Sequence, residues 1–163
     1  MKDWLKRWAG KITEKPYHFR QQVGGLFALL LVAFADPVWW SFLAGAGLVT
    51  LGAVVRLWAA GHLVKSEELG VHGPYAFVRH PQYFGNNCIA VGLCLTSGHY
   101  WALAVWGIIF YLLYLPAIRH EDEKLRGRFG EKCREWQEKV PAVIPTLKPV
   151  RNPGLHLEDW SLS

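Results

Sequence analysis

Residues 73 to 85 read GPYAFVRHPQYFG, a polar stretch that is stiffened by two prolines and leads into an apolar run. It carries an arginine, a histidine and two tyrosines. Ionisable side chains beside apolar segments are costly to desolvate, so they mark a candidate functional site. The segments on either side of this stretch indicate what kind of protein contains it.

The composition is that of a membrane protein. The chain has 163 residues, 52% of them hydrophobic, with nine tryptophans, which suits one domain rich in apolar helices. Its net charge of +5 is not concentrated in a basic run interleaved with aromatics, so we expect contact with anionic lipid and not with nucleic acid. Three cysteines without a CxxC pair predict neither a disulfide framework nor a metal site.

Apolar runs predict the fold class, an all-α polytopic membrane bundle of about four transmembrane helices. Asp36-Pro37 and Ser97-Gly98-His99 separate them as turns, and Pro116 is expected to kink or end the last one. The first and third are short for a crossing, which needs about 20 residues. The runs are Val23 to Ala35, Val38 to Ala60, Tyr83 to Thr96 and Tyr100 to Ala117.

The predicted organisation is one membrane domain over residues 1–163. Residues 1–20 form an interfacial segment, with basic and apolar side chains at helical spacing; a frayed terminus is the alternative. Residues 21–117 form the transmembrane core. Residues 118–146 form a cytoplasmic C-terminal helix that closes the candidate functional site, and residues 147–163 form a tail.

Two features of the second run predict its environment. Gly45, Gly47 and Gly52 indicate close packing against a neighbouring helix. Arg56 is its one charge, about a turn from its end, where snorkelling to the interface is the simplest explanation.

The distribution of positive charge predicts the orientation. With four crossings, both termini and the connector from Gly61 to Arg79 lie on one side, which holds every one of the 18 Lys and Arg residues except Arg56. Positively charged loops stay in the cytoplasm. We therefore expect a multi-pass membrane protein with cytoplasmic N- and C-termini.

A second polar cluster, Arg119-His120-Glu121-Asp122-Glu123, follows the fourth run. If the third and fourth runs form a hairpin, His80 and Tyr83 face Glu121. Each residue also has a purely structural interpretation: the arginines anchor helix ends, the acids complement a helix dipole, and the aromatics belong to an interfacial belt. The combination at one membrane face favours a ligand site.

The motifs resemble a known superfamily. Gly73-Pro74-Tyr75 followed by Arg79-His80-Pro81-Gln82-Tyr83 is similar to the Arg-His-Pro-x-Tyr motif of the isoprenylcysteine carboxyl methyltransferase and phospholipid methyltransferase superfamily. The paired acids Glu121-Asp122, then Phe129-Gly130, Val140-Pro141 and Ile144-Pro145, match its later motifs in order. The resemblance covers roughly residues 50 to 146.

The resemblance implies an integral membrane enzyme that transfers a methyl group from S-adenosyl-L-methionine to a lipid-like or prenylated acceptor (a carboxylate, amine or thiol) that enters from the bilayer. The catalytic candidates are Arg79, Glu121 and Arg119. The connector contributes backbone contacts from Glu67, Leu69 and Gly70. The other implied cofactor-binding residues are Tyr75, His80, Pro81, Gln82, Tyr83, Glu121 and Asp122.

Departures from the family pattern bear on the acceptor. The second acid is Asp122 and not Glu. Ala117 occupies the position where the prenylcysteine enzymes have an arginine, with Arg119 as the nearest substitute. Cys133 stands where a tyrosine is usual.

The implied donor carries a sulfonium cation. The aromatic faces of Tyr75, Tyr83 and Trp106 are expected to stabilise that cation. Two alternatives stay open. A membrane NADPH-dependent sterol or steroid reductase has a similar C-terminal half, and a non-enzymatic membrane scaffold would bind no cofactor.

Overall fold

The computed structural model describes residues 16–62, 69 and 71–150, and in these residues every regular element is helical, which confirms the all-α prediction. The predicted interfacial segment lies outside the described residues up to residue 15, and so do Glu67 and Gly70. A 3₁₀ turn, Gly73–Ala76, precedes the third helix. The helices are α1 (Pro16–Ala33), α2 (Trp39–Gly61), α3 (Pro81–Thr96), α4 (Trp101–Ile109), α5 (Leu115–Phe129) and α6 (Glu131–Lys139).

Helices α2 and α3 pack closely because glycines face each other across their interface. A Cβ atom added at Gly52 would lie 2.5 Å from the carbonyl oxygen of Gly85, and one added at Gly92 would lie 2.7 Å from that of Gly45. Such backbone approach is how small residues join membrane helices. The predicted packing role is confirmed for Gly45 and Gly52. It is wrong for Gly47, where a Cβ would meet nothing within 4 Å.

The fourth apolar run does not end at Pro116. A π-helical turn, Phe110–Tyr114, joins α4 to α5, so one helix runs without a break over Trp101–Phe129, 29 residues. A proline removes a helical hydrogen bond and crowds the preceding turn. The wider π turn directly before Pro116 gives the chain room for it, so the helix continues.

This helix is longer than a bilayer crossing requires. At about 1.5 Å per residue it spans roughly 43 Å, against about 30 Å for the hydrocarbon core of a bilayer. Glu121 and Asp122 lie in its polar C-terminal part.

Two helices are long and apolar enough to cross a membrane, Trp39–Gly61 and Trp101–Phe129. Helix α1 contains a shorter apolar segment, Phe19–Ala33, and α3 has 16 residues. Four complete crossings are therefore not established by helix length. Large apolar side chains stay exposed along these helices, as expected for lipid-facing surfaces. They include Leu26, Leu29, Val54, Leu57, Ile108 and Leu112.

The C-terminal region is two helices and an extended segment, not the single helix predicted over 118–146. Gly130, with a φ of 60°, separates α5 from α6, a backbone conformation that glycine adopts at low cost. After α6 the chain turns back along the residues that precede α3. Arg79 and His80 donate their backbone N–H groups to the carbonyls of Pro141 (2.9 Å) and Ala142 (3.0 Å). The Val-Pro segment thus fixes the backbone on which the motif lies.

Helix α6 packs on this region and completes a hydrophobic cluster there. Cys133 and Trp136 are buried against Leu69, Val71 and Val140. The Trp136 indole donates to the backbone carbonyl of Tyr75, 3.3 Å away. The Cys133 thiol is free, and its burial, together with the charge of Asp122, raises its pKa.

Candidate functional site

The motif residues reach their positions because the backbone around His80 is held on both sides. His80 directly precedes α3, and Pro81 occupies the first helical position, where its missing N–H costs nothing. The segment after α6 holds the N–H groups of Arg79 and His80, as described above. The His80 and Tyr83 side chains then point from the start of α3 toward α5, and their rings are 5.6 Å apart.

Asp122 joins the two basic residues of the motif. Its carboxylate lies 3.1 Å from an Arg79 guanidinium nitrogen and 2.9 Å from His80 Nε2. It is well buried, and Gln137 of α6 donates to its backbone carbonyl at 2.9 Å. Asp122 does not line the pocket described below, so its role here is to hold Arg79 and His80 in place.

Glu121 points the other way, toward the motif tyrosine. It accepts a hydrogen bond of 2.6 Å from the Tyr83 hydroxyl and lies 3.6 Å from His80 Nδ1. Neighbouring side chains on a helix point about 100° apart. The adjacent residues Glu121 and Asp122 therefore make different contacts, Glu121 with Tyr83 and Asp122 with Arg79 and His80. The contact between Glu121 and the two motif residues is the one that the hairpin argument predicts.

Arg20 of α1 contacts the Tyr83 hydroxyl from the other side, a contact that was not predicted. It donates to the Tyr83 hydroxyl at 2.5 Å, and its guanidinium carbon lies 4.9 Å from the centre of the Tyr83 ring. The Tyr83 hydroxyl therefore accepts from Arg20 and donates to Glu121. The sequence signal was present, since Arg20 lies at the polar end of the first apolar run.

Arg79, His80, Tyr83 and Glu121 line a cavity of about 420 Å³, here called the motif pocket. Eight of the predicted site residues line it: Leu69, Tyr75, Arg79, His80, Pro81, Gln82, Tyr83 and Glu121. The burial of Tyr75 and, secondarily, the charge of Glu121 raise its pKa, so its hydroxyl is neutral at physiological pH.

Three of the predicted residues are not brought to this cavity. Arg119 is exposed and does not line it, while Ala117, two residues earlier, is buried. Asp122 lies behind it. Trp106, expected beside the sulfonium, instead donates its indole N–H to Asn87 at 2.8 Å within the helix bundle.

Six further residues line the motif pocket without having been predicted. Three of them lie three, four and seven residues after Glu121, on the same face of α5. This helical spacing from Glu121 could have predicted them from the sequence. They are Lys124, Leu125 and Arg128, joined by His62, Phe129 and Trp136.

The motif pocket thus combines one carboxylate, several cations and aromatic walls. The Nε of Arg79 is buried and has no hydrogen-bond partner among the described residues. Buried donors are normally paired, so this atom marks a place where a ligand can bond. Across the described ranges, no group of His, Cys, Asp and Glu residues is arranged to hold a metal ion.

A scan against protein families matches residues 40–132 to the phospholipid methyltransferase family. Similar curated proteins include the nickel-cobalt-cadmium resistance protein NccN of Alcaligenes xylosoxydans xylosoxydans, 35% identical over 67% of this chain and 52% of that protein. The cobalt-zinc-cadmium resistance protein CzcN of Cupriavidus metallidurans is 35% identical over 63% of this chain and 48% of its own length.

The protein-S-isoprenylcysteine O-methyltransferase of Rattus norvegicus is 30% identical over 69% of this chain and 44% of that enzyme. The chain therefore spans about half the length of the curated relatives that it matches. The region matched by the family contains both the Arg-His-Pro-x-Tyr motif and the paired acids.

Proposed function

Since this chain belongs to the phospholipid methyltransferase family, we propose that it is an integral membrane methyltransferase that uses S-adenosyl-L-methionine and acts on a lipid-like acceptor. The observation that carries the proposal is the meeting of Glu121 with Tyr83 and His80 at the motif pocket. Family membership favours this reaction over the nicotinamide-dependent reduction that the motif alone left open.

The residues of the motif pocket fit the donor. Its volume lies in the range of about 300–1,000 Å³ typical of small-molecule sites. Glu121 suits the ammonium group of the methionine part, and the partnerless Nε of Arg79 suits its carboxylate, with Lys124 and Arg128 nearby. Tyr75, Phe129 and Trp136, with Leu69 and Leu125, supply apolar and aromatic surface for the adenine ring.

When bound, S-adenosyl-L-methionine supplies an electrophilic methyl group, whose bond to sulfur breaks with the electron pair staying on sulfur as the acceptor lone pair bonds to carbon. The protein's task is then positioning and exclusion of water. A carboxylate or thiolate acceptor gives up no proton. An amine acceptor loses one, and Glu121 or His80 is the candidate to take it.

Arg79 and Glu121 are proposed to act at the site itself. Arg79 is held by Asp122, lines the motif pocket and has one buried donor, Nε, without a hydrogen-bond partner among the described residues. Glu121 is fixed by Tyr83. Arg119 is not included, because its exposed position gives it no contact with the motif pocket.

The proposed topology is four crossings with both termini in the cytoplasm. It rests on the positive charge of the loops and on the antiparallel packing of α2 and α3, which places the start of α3 beside the end of α2. Helices as short as α3 cross where the bilayer thins locally or where flanking polar residues snorkel.

Titration of the purified protein in detergent with S-adenosylhomocysteine tests the proposal, with thermal unfolding as the readout and NADPH as the parallel ligand. We expect a rise in melting temperature with S-adenosylhomocysteine alone. Glu121→Ala and His80→Ala should each lose most of this rise. Glu123→Ala, an exposed neighbour on the same helix, is the matched control and should keep it. A response to NADPH, or none to S-adenosylhomocysteine at millimolar concentration, contradicts the proposal.

A further inference from the structure

A second cavity lies inside the helix bundle, separate from the motif pocket. It measures about 250 Å³, the space of roughly eight water molecules, and is here called the inter-helix pocket. All of its lining residues come from the apolar helices: Gln21, Gly24, Gly25, Phe27, Ala28, Arg56, Asn86, Ile89, Ala90, Leu93, Trp106 and Tyr114. Its walls are thus mostly apolar and aromatic, and Arg56 and Asn86 form a polar cluster within them.

That polar group is built around Arg56, whose guanidinium donates to the side-chain oxygen of Asn86. Arg56 lies five residues before the end of α2, and Asn86 lies five residues after the start of α3. In this antiparallel pair Gly52 lies against Gly85, so Asn86 is level with residues of α2 that come about five positions before Arg56. The Arg56 side chain therefore extends toward the middle of the helix pair and not toward the near end of α2, as the snorkelling expected from the sequence would require, and it stays exposed.

Gly85 makes this orientation possible. A Cβ atom at Gly85 would lie 2.6 Å from Cγ of Arg56, so the aliphatic part of the arginine lies directly over the glycine backbone. On α3, Gly85 lies two residues after Tyr83 and directly before Asn86. The path of Arg56 is thus set by the packing of α2 on α3.

The charge of Arg56 is bonded to a neutral amide. Among the described residues that line the inter-helix pocket, none is acidic. A second cation, Arg20, borders this region, with its guanidinium carbon 5.7 Å from the centre of the Tyr114 ring. Cations inside a membrane are costly and mark ligand paths, and a guanidinium pairs well with carboxylate and phosphate oxygens.

The two cavities meet at a wall of two aromatic rings. Tyr83 lines the motif pocket, Tyr114 lines the inter-helix pocket, and their rings are 6.0 Å apart, edge to face. On α3, Tyr83 and Asn86 lie three residues apart, so they occupy one face of that helix. An acceptor held in the inter-helix pocket would lie next to the proposed methyl-transfer site.

We infer that the inter-helix pocket binds the acceptor as a single-chain amphiphile with an anionic head group, a carboxylate or phosphate paired with Arg56, and with its first carbons against Phe27, Ile89 and Leu93. Its role as the acceptor site rests on the proposed methyl transfer. The binding preference rests on charge and shape alone. The apolar walls select an anion of the bilayer over a water-soluble one.

Gly25 allows a direct test by filling the cavity. It lines the inter-helix pocket, and a Cβ atom there would meet nothing within 4 Å, so Gly25→Leu adds a bulky side chain to the lining without a backbone clash. Gly47→Leu is the matched control, since Gly47 also has open space around it but lines neither pocket. Arg56→Gln removes the charge and keeps an amide beside Asn86.

The experiment uses the full chain in phosphatidylcholine nanodiscs and three diazirine probes of one chain length, with carboxylate, phosphate or amine heads. Saturable photolabelling of peptides from residues 20–28 and 86–93, read by mass spectrometry, is expected for the carboxylate or the phosphate probe and not for the amine. Which of the two anions labels more strongly identifies the head group. Arg56→Gln should weaken the labelling about tenfold, and Gly25→Leu should abolish it, while Gly47→Leu labels as the parent does.

The melting response to S-adenosylhomocysteine, measured on each variant, separates the two proposals. We expect Arg56→Gln and Gly25→Leu to keep it. If the parent shows that response but is labelled equally by the amine probe, or if the two variants label as the parent does, the inter-helix inference is wrong while the methyltransferase proposal stands. If the parent labels with an anionic probe but never responds to S-adenosylhomocysteine, the pocket binds an anionic amphiphile and the proposed reaction is wrong.

Discussion

The charged residues of the motif at the edge of the motif pocket are paired with acidic residues of α5, whereas the arginine of the inter-helix pocket is bonded to no acid. Asp122 pairs with Arg79 and His80, and Glu121 is bonded by Tyr83. Arg56, by contrast, is bonded to the neutral Asn86 in a cavity whose described lining includes no acid. Around the motif, most charged groups are paired with other groups of the protein. The inter-helix pocket keeps one charge available.

The difference indicates which part of each site is preorganised. A network of buried charges holds its members in a single geometry, because any loss leaves an uncompensated ion. Such rigidity suits a donor that every reaction cycle uses. A cation bonded only to an amide retains attraction for an anion, which suits the recognition of an acceptor. The predictions below disturb each region in turn, from the largest expected effect to the smallest.

The largest effect is expected from Asp122→Ala. The change leaves the Arg79 guanidinium and His80 without their shared partner in a site where Asp122 and Arg79 are each only about 15% exposed. Breaking a buried charge network by removing one partner costs about 3–5 kcal/mol. We expect a large fall in melting temperature in detergent, with Glu123→Ala unchanged. An unaltered melting temperature would show that Asp122 does not support the site.

An intermediate effect is expected from Gly85→Ala in the other region. Its Cβ would meet Cγ of Arg56 and, at 2.8 Å, the backbone oxygen of Gly52, so the arginine must move and the helices must separate slightly. Overpacking of this kind costs about 1–3 kcal/mol. We expect lower thermal stability and weaker labelling by the anionic probe. Gly47→Ala, with no such contact, is the control, and equal behaviour of both variants would contradict the described path of Arg56.

The sequence was informative where one periodicity or one motif decides the outcome. Apolar runs placed α2 and α3 within two residues at both ends but missed the start of α1 and the end of the last helix. The motif together with a helical hairpin placed Tyr83 and His80 against Glu121. Both follow from local pattern and short connections. The separate roles of Glu121 and Asp122 did not follow, because they depend on which face of α5 packs against α3.

The remaining errors have the same origin in packing. Pro116 was expected to kink or end a helix, and the helix continues past it because the π turn before it depends on tertiary contacts that a propensity rule does not contain. The direction of Arg56 depends on a glycine opposite it on another helix, and the contribution of Arg20 depends on where α1 packs. Pairs that are distant in sequence and join different helices are what single-sequence reasoning cannot supply.

The smallest effect is expected from Tyr83→Phe, which removes the hydroxyl group at the boundary of the two regions. That hydroxyl donates to Glu121 and accepts from Arg20, so its loss should disturb both pockets at once, while the ring stays to pack against Tyr114. We expect about tenfold weaker binding of S-adenosylhomocysteine, or roughly 1.4 kcal/mol, together with a measurable change in labelling by the anionic probe. Tyr111 is an exposed tyrosine in the same π turn as Tyr114, and Tyr111→Phe should change neither the binding of S-adenosylhomocysteine nor the labelling. Because Arg56→Gln is expected to alter the labelling alone, a Tyr83→Phe variant that alters only one of the two readouts would show that the pockets are independent and that this tyrosine does not couple them.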